Sequence, residues 1–350
     1  MRCEGQALRG PAQTGPSLFA FIVTVAIAGC RGHAAGETPV VRVGYFANVT
    51  HAPAIVGLLQ GFFAAELGTG VRLEPHTFNA GPEAVEALFS DALDLTYIGP
   101  NPAINAFARS EGAAIRIIAG AASGGAALVV QPSITTPAQL RGTHIASPQL
   151  GNTQDVALRA WLRTQGLTAN MEGGGDVAVV PQANAQTLET FRAGRIQGAW
   201  VPEPWASRLV LEGGGAVLVD ERSLWPEGRF VTTHVIVRTA FLREHPDLVA
   251  AFLRGHVRAV DFVNAEPARA KAIVNAGISA VTSRAVPDSV MDRAWANLTF
   301  TVDPIATSLR GSADAAVAAG LLRPVRLDGI YDLAPLNRIL TAAGRPPVVE

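Results

Sequence analysis

The chain has 350 residues, a formal net charge of −1 and only 16% charged residues, which supplies neither a basic field for nucleic acid nor an acidic tail. Its length is generous for one hydrophobic core and comfortable for two. A hydrophobic content of 49%, with 35 Gly and 23 Pro, fits a globular α/β protein with many short connections.

In chain order, the first feature is an export signal. Arg2 and Arg9 precede the apolar stretch LFAFIVTVAIAG, Leu18 to Gly29, which is followed by Cys30 and then small and polar residues. A charged start, a short apolar segment and small residues before a cleavage point are the pattern of a secretory signal. IAGC, Ile27 to Cys30, resembles the bacterial lipobox, in which the cysteine is lipidated and becomes the new N-terminus. A plain signal peptide with an incidental cysteine is the alternative. Cys3 would leave with the signal, so Cys30 would have no disulfide partner.

From Val40 onward short β-rich runs alternate with helical patterns, which argues for βα units and mainly parallel sheets. VVRVGYF reads as a strand and HAPAIVGLL as a helix with Pro53 in its first turn and Ile55, Leu58 and Leu59 on one face. VRLEPHTF is a second strand, GPEAVEALF a second helix and LDLTYIG a third strand that stops at Gly99 and Pro-Asn-Pro. AAIRIIAGA and AALVVQ follow as strands.

The pattern then restarts. TTPAQLRG reads as a short capped helix, THIAS as a strand, NTQDVALRAWLRTQG as a strong helix and VAVV as a strand. NAQTLETFRAG is a helix, and IQGAWV a strand that stops at Pro-Glu-Pro. AVLV and THVIVR are strands, and from Thr239 the pattern is mostly helical. Residues 1–29 are thus expected to be a signal and 30–39 a lipidated linker. Residues 40–130 with 234–345 form a discontinuous first lobe, and 131–233 an inserted second lobe. The hinge crossings are expected at Val129–Pro132 and Phe230–His234.

The stretches VGYFANVTHAPAIVGLLQGFF, YIGPNPAINAF, QLGNTQDVALRAWL, VPEPWASRLV and YDLAPLN, in this order, resemble the substrate-binding lipoproteins of nitrate, taurine and aliphatic-sulfonate ABC importers. The resemblance implies a two-lobe periplasmic binding protein of type II, each lobe a mixed, mainly parallel sheet flanked by helices. It also implies a small-molecule ligand, permease and ATPase partners, a lipid anchor in the cell envelope, a monomer and no cofactor. The same superfamily resembles a thiamine-pyrimidine synthase, which is the enzymatic alternative; a sensory or adaptor lipoprotein is the other.

Ligands of open α/β sheets bind beyond the carboxyl ends of strands. Proline ends a strand and restricts the residue before it, so both Pro-X-Pro segments suit that edge, and Asn101 and Glu203 are expected to face each other across the cleft. Ordinary turns with solvated tips are the plainer reading. In QLGNTQD, Gly151 allows close backbone approach and Asn152 or Thr153 can cap a helix whose free N–H groups, with Gln154 nearby, suit sulfonate oxygens. Asn152 to Asp155 also reads as a simple capping box. Asn48 and His51, at the end of the first strand, Gly99, Ser147 and Trp205 complete the candidate set, although a lone His or Trp is as readily a core residue. These loops carry no Lys or Arg but do carry Asp155 and Glu203, which favours a zwitterion such as taurine, its amine held by one of the carboxylates. The seven histidines show no metal-ligand spacing, and no G-x-S-x-G elbow or phosphate-loop context is present.

Overall fold

A computed structural model describes residues 38–350. Cys30 and the signal lie outside the described residues. The first sheet has six strands in the order β11-β4-β10-β3-β1-β2. Its members are β1 (Val40–Phe46), β2 (Arg72–Phe78), β3 (Leu95–Ile98), β4 (Ile115–Gly124), β10 (Val231–Arg238) and β11 (Leu298–Phe300). The second has five in the order β7-β6-β8-β5-β9: β5 (Ala126–Val130), β6 (His144–Ser147), β7 (Ala178–Pro181), β8 (Gly198–Pro202) and β9 (Ala216–Asp220). In each sheet the strands of the βα units run parallel, and the returning strand, β10 or β5, is antiparallel to its neighbours.

Helices cover both faces of both sheets. The first lobe carries α1 (Ala52–Leu59), α2 (Phe62–Leu67), α3 (Gly81–Phe89) and α4 (Pro100–Arg109). The second carries α5 (Thr153–Thr164), α6 (Asn184–Arg192) and α7 (Trp205–Leu211). The chain then returns to the first lobe with α8 (Thr239–Glu244), α9 (Pro246–Ala265), α10 (Pro267–Thr282), α11 (Asp288–Ala296), α12 (Ala306–Ala318) and α13 (Ala334–Ala342). The two-residue period of the strands sorts their side chains between the layers. On β10, Val235 and Val237 pack with α1 and α9, whereas Ile236 packs with α3, α4 and α12. On β8, Trp200 packs with α5, whereas Ala199 and Val201 pack with α6 and α7. Each lobe is therefore a helix–sheet–helix sandwich with two apolar layers, as expected for a doubly covered, mainly parallel sheet.

The crossings lie earlier in the chain than expected. β5 pairs with β8 and β9, so Ala126–Val130 belongs to the second lobe, and the first crossing is Gly124–Gly125 rather than Val129–Pro132. β10 lies wholly in the first sheet, which places the second crossing in residues 221–230. Both crossing glycines have positive φ, +79° and +70°, a region that side-chain-bearing residues rarely enter. A Cβ on Gly125 would also lie 2.4 Å from Leu298 Cδ2. The crossing requires glycine at both positions, since a Cβ on Gly124 would likewise lie 2.7 Å from Asn297 O.

Candidate functional site

The loop after β1 turns sharply into α1 and places Asn48, Thr50 and His51 at the carboxyl edge of the first sheet, all buried. His51 Nδ1 accepts a hydrogen bond from the Phe46 backbone N–H at 3.3 Å, and the two rings lie 4.4 Å apart. Deep burial pushes the imidazole down to about 3, so it is neutral at physiological pH. With Nδ1 accepting, the ring proton sits on Nε2, which makes His51 an uncharged donor.

Across the cleft α5 begins at Thr153 after the N-cap Asn152. The N–H groups of Asp155 and Val156 both donate to Asn152 O, at 3.0 and 3.1 Å, which leaves those of Thr153 and Gln154 as the open donors of the first turn. The Asn152 side chain caps nothing; its Nδ2 donates to Gln154 Oε1.

These groups meet in one inner pocket. The first lobe contributes Asn48, Thr50, His51, Gly99 and Thr233, and the second Asn152, Thr153, Gln154, Asn184 and Pro202. The space between them is about 20 Å³ with the lobes as they stand, so a group larger than one water requires them to part slightly. The lobes are nearly in contact there: a Cβ on Gly99 would lie 2.3 Å from Thr153 Oγ1. Thr153 Oγ1, Thr233 Oγ1 and Asn184 Oδ1 are buried with no hydrogen-bond partner, although Thr153 and Thr233 are only 5% and 0% exposed. Buried polar atoms in native proteins are normally paired, so these unpaired hydroxyls lining one pocket are open hydrogen-bonding capacity at that place. None of the described residues lining this pocket is Asp, Glu, Lys or Arg.

Six of the expected residues line this pocket: Asn48, His51, Gly99, Asn152, Thr153 and Gln154. The others lie elsewhere, each for a visible reason. Asn101 is in the first turn of α4 rather than at a turn tip, and its Nδ2 donates to Ser312 O of α12 at 2.9 Å. Ser147 Oγ and the Gly151 N–H both donate to the Asp155 carboxylate, at 2.7 and 3.0 Å. Arg159, one helical turn on, pairs with Asp155 at 3.2 Å, both side chains buried. Asp155 thus ties the end of β6 to the start of α5 from behind.

Glu203 does not face Asn101. Its carboxylate accepts from the Ser207 N–H and Oγ, each at 3.0 Å, and from Asn297 Nδ2 of the other lobe at 2.8 Å. It borders a separate cavity of about 240 Å³ beside the first crossing, with Arg222 and Arg293. Burial pushes its carboxyl above the usual range, against the hydrogen bonds from Asn297 and Ser207 that hold it down. With Asp155 and Glu203 both engaged outside the pocket, neither carboxylate is available to a ligand amine.

Trp205 Nε1 donates to Asn48 Oδ1 across the cleft at 3.0 Å. The indole lines a second, outer cavity of about 180 Å³, which shares Phe46, Asn48, Asn79 and Asn184 with the inner pocket. Sequence reasoning missed Thr50, Asn184 and Thr233. The Thr232–Thr233 pair inside the apolar run VTTHVIVR was the available signal for the last.

Two sheets joined by two crossings, with a pocket between them at the carboxyl ends of their parallel strands, define a two-lobe periplasmic binding protein fold. The model of the NMT1-like family matches residues 34–278, and the chain belongs to that family. It is 28% identical over 208 residues, 59% of its length, to the taurine-binding periplasmic protein of Escherichia coli (strain K12), and spans 62% of that protein. The alkanesulfonate-binding protein SsuA from Xanthomonas axonopodis pv. citri, solved bound to MOPS, superposes with a TM-score of 0.67 at 21% identity, covering 86% of this chain and 98% of that one. The periplasmic nitrate-binding protein NrtA from Synechocystis PCC 6803 gives 0.73 at 17% identity, covering 89% and 90%.

Proposed function

We propose that the chain is the extracytoplasmic solute-binding component of an ABC importer, anchored through Cys30, which closes on a small sulfonate-type ligand and delivers it to a permease. The observation that carries this reading is the inner pocket of uncharged donors. Sulfonate oxygens need several donors and no proton transfer. The α5 terminus, His51 Nε2–H and the unpaired Thr153 and Thr233 hydroxyls supply them from both lobes. Contacts from both lobes make ligand binding and closure one event, because a ligand shifts a conformational equilibrium only by its differential affinity for the two states. Neutral donors also suit delivery, since they hold an anion without the deep electrostatic well of a buried cation. The sulfonate class is further supported by the names of the taurine- and alkanesulfonate-binding proteins that the chain resembles.

Calorimetry with methanesulfonate on the wild type and on Thr153→Val and Thr233→Val tests this. Each substitution removes one hydrogen bond to a charged group, and affinity is expected to fall about tenfold in each. Binding of nitrate but of no sulfonate, or full affinity in both variants, overturns the reading.

A further inference from the structure

The outer cavity identifies what the oxyanion is attached to. It adjoins the inner pocket, sharing four lining residues with it, and so is the neighbouring space for whatever a ligand held by its oxygens inside carries beyond them. Its lining adds apolar side chains that the inner pocket lacks, Phe78, Leu188, Trp205, Ile278 and Val286, together with the charged Glu189, Arg208 and Arg284. Its volume of about 180 Å³ is of the size that a six-membered ring fills. The Trp205 ring is fixed in place: its N–H is held by Asn48, and the Arg208 guanidinium lies 5.0 Å from its ring centre while pairing with Glu212 at 2.8 Å.

The charges around this cavity argue against an amine. Arg208 and Arg284 face a single carboxylate, Glu189, which is exposed and already lies 3.6 Å from Arg192. The two buried carboxylates nearest in sequence to the site, Asp155 and Glu203, are engaged elsewhere. An ammonium group drawn into the cleft would lose water and gain no buried counter-charge, which is unfavourable; an apolar ring loses nothing by the same transfer.

We propose that the outer cavity is a specificity compartment for an apolar, ring-sized substituent on the same ligand, that Trp205 is its principal wall, and that it selects against ammonium-bearing tails such as that of taurine. This rests on the sulfonate reading of the inner pocket.

The test is calorimetry with benzenesulfonate, methanesulfonate and taurine on the wild type, Trp205→Ala and Ala185→Phe. Ala185 lines the outer cavity from an exposed position, so a larger side chain there narrows the cavity without entering a core. Wild type is expected to bind benzenesulfonate at least roughly tenfold more tightly than methanesulfonate, with taurine no tighter than methanesulfonate. Ala185→Phe should erase most of the benzenesulfonate advantage while holding methanesulfonate within about twofold. Trp205→Ala should do the same, with a smaller loss shared by both ligands because the cross-lobe bond to Asn48 goes too. If taurine binds as tightly as benzenesulfonate, or Ala185→Phe lowers all three ligands alike, the compartment assignment is wrong while the sulfonate reading stands. If none of the three binds, the sulfonate reading falls and the assignment with it.

Discussion

The two Pro-X-Pro segments look alike in sequence and do different things in the fold. Both follow a buried strand of a parallel βα unit, β3 or β8. The first opens a ten-residue helix at Pro100, where a proline costs nothing because its missing N–H would have had no partner. Its Asn101 ties that helix to α12 within one lobe. The second extends β8 through Pro202 and places Glu203 between lobes, capping α7 through Ser207 and receiving Asn297 from beside the first crossing. In neither case does the middle residue line the inner pocket. The residues that do are Gly99, immediately before the first run, and Pro202, which opens the second, while Trp205 just beyond the second walls the outer cavity. The shared motif marks where a strand ends; the neighbours decide what is presented there.

The largest effect expected from breaking this comparison is on stability. Glu203→Ala leaves the Ser207 N–H and hydroxyl and the Asn297 amide without their acceptor, and should lower unfolding free energy by about 2–4 kcal/mol. Asn101→Ala removes one hydrogen bond to a backbone carbonyl and should cost about 1 kcal/mol. Urea denaturation of both variants measures the difference. A Glu203→Ala protein as stable as the wild type, or less destabilised than Asn101→Ala, would show that the interlobe contacts of Glu203 contribute little.

A smaller effect, confined to ligand affinity, is expected at Gly99. Its φ of −72° suits alanine, so Gly99→Ala strains no backbone. The added methyl would instead press on Thr153 from the opposite lobe, 2.3 Å from its hydroxyl. Overpacking of this kind costs about 1–3 kcal/mol and acts only when the lobes are closed. Affinity for a sulfonate should therefore fall by roughly tenfold or more while the denaturation midpoint of the unliganded protein holds. Equal loss in both measurements would mean that the Gly99–Thr153 contact persists in the open form.

Much of this was legible in the sequence, and what was not depends on distant partners. β1 and α3 occupy the stretches that period and proline placement select, and α5 starts after Asn152 because the loop and helix signals coincide there. The sheet membership of β5 is not legible locally, because its run of apolar residues fits either sheet and its partners β8 and β9 come some 70–90 residues later. The roles of Asn101 and Glu203 were hidden in the same way: their partners, Ser312 and Asn297, are 211 and 94 residues away. Asp155 is different. Arg159 stands at i+4, the spacing at which helical side chains meet, so its engagement could have been read directly.

The smallest expected effect separates the two titratable groups that flank the cleft. Glu203 lies outside the inner pocket, and His51 is the titratable side chain among those lining it. If His51 acts as a neutral donor, ligand affinity should be flat within about twofold from pH 5.5 to 8, because burial puts its folded pKa at about 3, well below that range. Stability should behave otherwise. The ordinary value is 6.5, so as pH falls below that the unfolded chain takes up the proton first, and the folded state keeps its full stability only above about 6.5. The same sign holds for His234 and His256, both buried and pushed down to about 4. Glu221, pushed up to about 7 by burial, works in the opposite sense as pH rises toward neutrality. Calorimetry and urea denaturation across the same pH series distinguish the two quantities. An affinity that climbs threefold or more between pH 7.5 and 5.5 would mean that His51 meets the ligand as a cation, and the pocket would then hold its anion by charge rather than by neutral donors.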